Sequence, residues 1–282
     1  MPVDAEKLRK QAVYEAQAPL QSVLDDLDQI GQIAASFEAR RRTIRHAALW
    51  CLLGFVLGLI IGAYAGIDWL VGLAFLSLAF CIGLFIWQFR FGRKIIANRK
   101  RGDLLKELLA SLQWDVHERA TFAVRLSLDD APLLVSEAKW TGRRSGKQFF
   151  YKQSWLTVEA PMLDGATLSE EITELSRKRT YLNPRGKRKI KNRSRYLVTL
   201  RLIYPKDRYG DARPAHAALP QPVKVPEFST VRDVRVTEKA IAIKALVPDQ
   251  KAIPNTAEML SLGAYRILNL ARRAAARQGG AK

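Results

Sequence analysis

The hydrophobic and polar positions of this chain change rhythm three times. Leu20, Val23, Leu27, Ile30, Ala34 and Phe37 follow a 3-4-3-4-3 spacing, the seam of a short coiled coil. Pro19 suits the first turn of that helix, and a shorter helix is predicted over 4–17. Only Gly31 interrupts the helical texture before the second rhythm begins. There, 43 residues from Ala47 to Phe89 carry a single charge, Asp68. Each of the two runs, 47–66 and 69–89, matches the ~20 residues that cross a bilayer core. So short a link forces antiparallel neighbours and predicts a transmembrane hairpin, with Asp68 as N-cap of the second helix. Trp50, Tyr64, Trp69 and Trp87 stand near the span ends, as in interfacial aromatic belts.

After the second run, Ile95, Leu104, Leu105, Leu108, Leu109 and Leu112 mark an amphipathic helix interrupted by Gly102. It either packs against the N-terminal helix or leaves that seam to a second copy of the chain. From about residue 121 the period falls to two. Strands are predicted over 121–128, 133–140, 148–160, 167–181, 195–204, 231–236 and 240–247. Phe149, Tyr151 and Trp155 share one face, as do Tyr196, Val198, Leu200, Leu202 and Tyr204. Asp164-Gly165 and Thr237-Glu238-Lys239 read as turns. An amphipathic helix over 256–277, with Asn255 as its cap, closes the chain. Five prolines between 205 and 226 predict a loop or polyproline stretch.

The expected class is therefore an α+β membrane protein. Residues 1–46 form a cytosolic helical arm, 47–89 the two-helix hairpin and 90–113 a juxtamembrane helix. Residues 114–282 form a mainly antiparallel β domain closed by a helix.

Charge refines this picture. The net charge is +19, from 46 Lys and Arg against 27 Asp and Glu. Ten of the basic residues flank the apolar runs: Arg40, Arg41, Arg42 and Arg45 before, and Arg90, Arg93, Lys94, Arg99, Lys100 and Arg101 after. The positive-inside rule then places both termini in the cytoplasm, with a bacterial inner membrane as the default and no cleaved leader. Ten more lie in 177–195: Arg177, Lys178, Arg179, Arg185, Lys187, Arg188, Lys189, Lys191, Arg193 and Arg195. That segment has no acid, and Asn183-Pro184-Arg185-Gly186 supplies a turn, so a β-hairpin with a cationic tip is expected. Such a tip suits anionic lipid headgroups, an acidic protein or nucleic-acid phosphates, or is simply a solvated charge run. Without these two sets, 26 basic residues face 27 acidic ones, a near-neutral remainder.

Gly54, Gly58, Gly62 and Gly66 recur every fourth residue in the first apolar run. They predict close helix packing, either within the hairpin or between copies. Enzyme chemistry is not visible. His46, His117 and His216 are isolated, and Cys51 and Cys81 both lie in apolar runs. No phosphate-binding loop, nucleophile elbow or zinc-protease motif occurs, and no cofactor or metal is called for. Asp129-Asp130 and Glu170-Glu171 read as surface carboxylates. The expected role is a membrane scaffold or regulatory component, as a homo-oligomer or within a complex. The alternative is a ligand-sensing effector that oligomerises or perturbs the bilayer through its glycine-faced spans.

Overall fold

The computed structural model describes residues 12–65, 68–90, 99–129, 132–140, 146–183, 185–219 and 223–279. They form an α+β protein with a large antiparallel sheet and a long N-terminal helix. Two compact units are present: Asp28–Lys100, and Val13–Leu27 together with Arg101–Lys282.

In the second unit the strands are β1 (Val13–Pro19), β2 (Thr121–Ser127), β3 (Leu133–Trp140), β4 (Gly146–Pro161), β5 (Thr167–Leu182), β6 (Arg188–Ile203), β7 (Thr230–Val236) and β8 (Ala240–Val247). Their order across the sheet is β1-β2-β4-β5-β6-β8-β7, with β3 on the same edge of β4 as β2 but further along. Every pairing is antiparallel. One sheet face is apolar. Phe122, Val124, Leu126, Leu156, Val158, Leu168, Ile172, Val198, Leu200, Leu202, Ile241 and Ile243 alternate along their strands and are all buried. Helix α3 (Arg99–Leu112), through Leu104, Leu105, Leu108, Leu109 and Leu112, and the last helix, α6 (Ile253–Gly279), bury their own stripes in this unit.

Four expectations are corrected in this unit. The predicted helix over 4–17 is strand β1 from Val13 onward, and its earlier part lies outside the described residues. Seven cross-strand pairs with β2 outweigh the weak helical pattern, because Tyr14, Ala16 and Ala18 share the apolar side. Asn255 does not cap the last helix; it lies inside it. Asp249 caps a 3₁₀ turn, Gln250–Ala252, that leads into Ile253. The proline-rich 205–226 segment holds two short helices, α4 (Lys206–Tyr209) and α5 (Arg213–Ala217). Pro205 precedes α4 and Pro214 lies in the first turn of α5, where a missing N–H costs nothing. Finally, Glu170 is not a surface carboxylate: it is 3% exposed, within the apolar face.

The turn at Asp164-Gly165 is tied down by phenols. Tyr209 donates to the Asp164 carboxylate, and Arg208 donates to the Asp164 carbonyl at 3.1 Å. Burial, together with that carboxylate, pushes Tyr209 up to about 12 and raises Tyr265 further.

Helix α1 (Leu20–Ala65) has 46 residues, of which Leu20–Leu27 belong to the second unit and the rest to the first; α2 (Asp68–Arg90), in the first unit, has 23. Val23, Leu27, Ile30 and Ala34 are buried within the single chain, and Leu20 and Phe37 are half-buried. Ser77 donates to the Cys51 carbonyl at 2.6 Å, and the Cys81 thiol lies 3.3 Å from the Ala48 carbonyl oxygen. Phe55 and Phe75 meet edge to face at 5.9 Å. A Cβ at Gly54 would lie 3.7 Å from Ser77 Oγ, so Gly54 faces the other helix of its own chain. Gly62 is buried and Gly58 half-buried; Gly66, like Ile95, lies outside the described residues. Trp50, Tyr64 and Trp69 are exposed, while the side chains of Asp68 and Trp87 lie outside the described set. Among the described residues one helix, Leu20–Tyr64, is long and apolar enough to cross a membrane by length and composition, and Gly72–Ile86 is a shorter apolar helix. By length and composition, the longer helix gives weak support for membrane association.

Burial pushes the Glu170 carboxyl up to about 7 from an ordinary 4.5, with the Ser261 hydroxyl pulling weakly the other way. A carboxyl whose pKa rises on folding binds more protons folded than unfolded. Stability therefore falls as pH rises from about 4.5 through about 7, and levels off above. Glu170→Gln should remove most of this fall, about 3 kcal/mol in all, when denaturant midpoints of the full chain in detergent are compared at pH 5 and pH 8. Parallel curves for the two proteins would contradict the assignment.

Candidate anion-binding face

Strands β4, β5 and β6 are each 16 residues long, but their buried residues occupy only one half. Burial runs from Trp155 to Ala160 in β4, from Leu168 to Thr173 in β5, and from Val198 to Leu202 in β6. Beyond Gln153, Leu175 and Arg195 the strands continue without an apolar cover. Together with β3 they make a four-stranded arm.

A buried cation marks where the core ends. Arg101 of α3 is 5% exposed and donates to the carbonyls of Ser127 and Asp129 and to Glu174, at 3.1, 3.3 and 3.3 Å. Its guanidinium lies 5.2 Å from the centre of the Trp155 ring. Trp155 is the extra residue of a bulge between Ser154 and Leu156, which lets Trp155 and Leu156 both point into the core. The sequence placed Arg101 only in the basic collar.

The segment 177–195 is a β-hairpin. Asn183 closes its turn, its side chain accepting from the N–H groups of Arg185 and Lys187. Gly186 takes a φ of +72°, which favours glycine. The register then sorts the ten basic residues. Arg177 is opposite Arg193 and Arg179 opposite Lys191. Lys189 pairs with Tyr181 and Arg195 with Leu175. All six cations lie on the face opposite the helix-covered one. Lys152 joins them, since its partner is Leu175. Lys178 and Arg188 are on the other face, with Glu174 and the polar Ser176, Asn192 and Ser194. Arg185 and Lys187 belong to the turn. Structure thus brings together six of the ten candidates and separates four.

On this face, cations recur about every 6.7 Å along a strand and about 4.8 Å across strands. Like charges directly opposite are unfavourable, and there are two such pairs. No acid lies on the face between Thr173 and Tyr181 or between Lys189 and Leu197. Two aromatics that the sequence left out of the site stiffen the array. Arg179 is held 4.8 Å from the Trp140 ring centre and 5.1 Å from that of Tyr181, with Lys191 5.9 Å from Tyr181. Trp140 reaches Arg179 by crossing Gly146. A Cβ there would lie 2.4 Å from the Trp140 ring and 2.5 Å from the Thr180 carbonyl. The missed signal was the pairing of Trp140 with Gly146 between β3 and β4.

This arrangement offers fixed guanidinium donors to phosphate or carboxylate oxygens. Arg179 lies over both the Trp140 and the Tyr181 rings, and the arm is about 14 Å between its outer backbones. Among the described residues, no group of three His, Cys, Asp or Glu side chains could hold a metal. His117 and His216 are isolated from the face, and Cys51 and Cys81 are free thiols of the helical unit.

No protein-family model, no curated protein sequence and no solved structure matches this chain.

Gly146→Ala should lower unfolding stability by about 1–3 kcal/mol in denaturant titration, since backbone and an indole must both shift. It should also release Arg179 from Trp140. A variant as stable as the parent would contradict the close approach.

Proposed function

We propose that this is a non-enzymatic membrane scaffold or regulatory component. The two apolar helices cross the bilayer as an antiparallel hairpin with both termini in the cytoplasm of a bacterial inner membrane. The β domain is cytosolic, and the outer face of its arm contacts an anionic lipid surface or an acidic protein partner, in a homo-oligomer or a larger complex. One observation carries the reading: six cations of one hairpin lie on a single face, with like charges opposed and no acid among them. An array of this kind is unfavourable alone and favourable once anions neutralise it. The apolar helices support the tether, the charge difference between flanks and link supports the orientation, and tethering raises the local concentration of lipid headgroups.

The test uses the full chain, because β1 and Arg101 would be lost from a fragment starting later. It is reconstituted in phosphatidylcholine nanodiscs and mixed with vesicles. Co-sedimentation with phosphatidylglycerol vesicles should exceed that with phosphatidylcholine vesicles and fall with salt. The combined change Arg177→Gln, Arg179→Gln, Lys191→Gln and Arg193→Gln should weaken it at least about tenfold, at roughly 1 kcal/mol per charge. The paired control, Lys178→Gln with Arg188→Gln on the opposite face, should have a much smaller effect. Capture by an acidic protein but not by vesicles would select the second partner; loss of neither would sink the role of the face.

A further inference from the structure

We propose that the groove between α1 and α2 is a seat for one anionic phospholipid, a site that rests on the bilayer reading of these helices but not on the arm. The groove has a volume of about 680 Å³. Arg41 and Arg45 stand at one end; Leu49 and Leu52 continue the same helical stripe, and Leu78, Ile82 and Phe85 line the groove from α2. From Arg41 to Leu52 the helix rises about 16 Å. The walls are apolar and their side chains exposed: Leu49 by 61%, Ile82 by 53% and Phe85 by 54%. A cleft with two guanidinium groups at one end and hydrocarbon along its length matches the two parts of a phospholipid, phosphate and acyl chain.

Two further observations make the arginines a site rather than part of a general collar. Nε of Arg41 is shielded from solvent and has no hydrogen-bond partner among the described residues. A shielded guanidinium N–H without an acceptor is unfavourable, and a phosphate oxygen would satisfy it. The nearby carboxylate is committed elsewhere: Glu38 accepts from Arg42 at 2.9 Å and lies 4.0 Å from Arg99. Neither Arg41 nor Arg45 has an ion-pair partner among the described residues. In the orientation proposed above, this end of the groove lies at the cytoplasmic headgroup level. The seat is complementary to a lipid with a net negative headgroup rather than a zwitterionic one, whose own ammonium would compete for the phosphate.

The experiment uses the full chain in nanodiscs of equimolar phosphatidylglycerol and phosphatidylcholine, released in a native mass spectrometer. The wild type should retain one phosphatidylglycerol per chain, preferred about tenfold over phosphatidylcholine. The pair Arg41→Gln and Arg45→Gln should abolish the preference. The pair Arg40→Gln and Arg93→Gln removes equal charge from the collar, keeps Arg42 on Glu38 and should leave the preference intact. Ile82→Trp, which fills the apolar wall, should reduce retention with the charges unchanged. Equal retention of both lipids, or equal loss in the two arginine pairs, would mean attraction of annular lipid to the collar only and would overturn the site. Alkaline carbonate extraction of native membranes separates this from the underlying reading. Release of the wild type would overturn the spanning helices and the site together, whereas retention without lipid preference would overturn the site alone.

Discussion

Three sixteen-residue strands pair side by side along their whole length, but only half of that length carries an apolar face to bury. The covered and uncovered halves of the sheet unit follow from that mismatch. Where Leu168, Ile172, Val198 and Leu200 alternate, helices cover the sheet and the strands are ordinary core. Where alternation gives way to Arg, Lys, Ser and Asn, the same backbone ladder continues into solvent. The ladder keeps the arm extended while the side chains are free of packing duty. Arg101, paired with Glu174 and stacked over Trp155, stands at the changeover. It is the last group buried by the core and the first cation of the basic region.

The arm turns a charge run into a directional surface. As a linear string, ten cations in nineteen residues point nowhere in particular. The antiparallel register, fixed by Asn183 and Gly186 in the turn, sends six to one side. Arg179, Trp140 and Gly146 show the sheet investing in this face: a glycine makes room for an indole, and the indole holds a guanidinium. In the helical unit the same chemistry recurs differently, with Arg41 and Arg45 ending an apolar groove. Both features display arginine, one on an open plane and the other at the end of a lined cleft.

Much of this was legible in the sequence, for physical reasons. Period-two alternation in β6 and β8 is a property of one chain segment, so Val198, Leu200 and Leu202 announced their face. The long uncharged runs and the Asn-Pro-Arg-Gly turn are likewise local. What escaped depends on distant pairing. Strand β1 has a single large residue, Tyr14, beside two alanines on its inner side, so only its register with β2 reveals it. Glu170 looked like a surface acid because nothing adjacent says that Leu200 and Val158 flank it in the sheet. The sorting of cations by face needed the register of four strands, and Trp140 lies almost forty residues from the arginine it holds. The groove of the helical unit required the positions of both helices.

The most direct test of the central claim asks which side of the arm an anionic surface touches. With Cys51 and Cys81 replaced by Ala, a single nitroxide is placed at Gln148, on the cationic face beside Arg179, or at Ser194, on the opposite face. The full chain in neutral nanodiscs is then mixed with phosphatidylglycerol vesicles, and accessibility to a water-soluble relaxation agent is measured. Gln148 should become protected while Ser194 stays accessible. Equal protection at both positions, or protection at Ser194 alone, would contradict the claim.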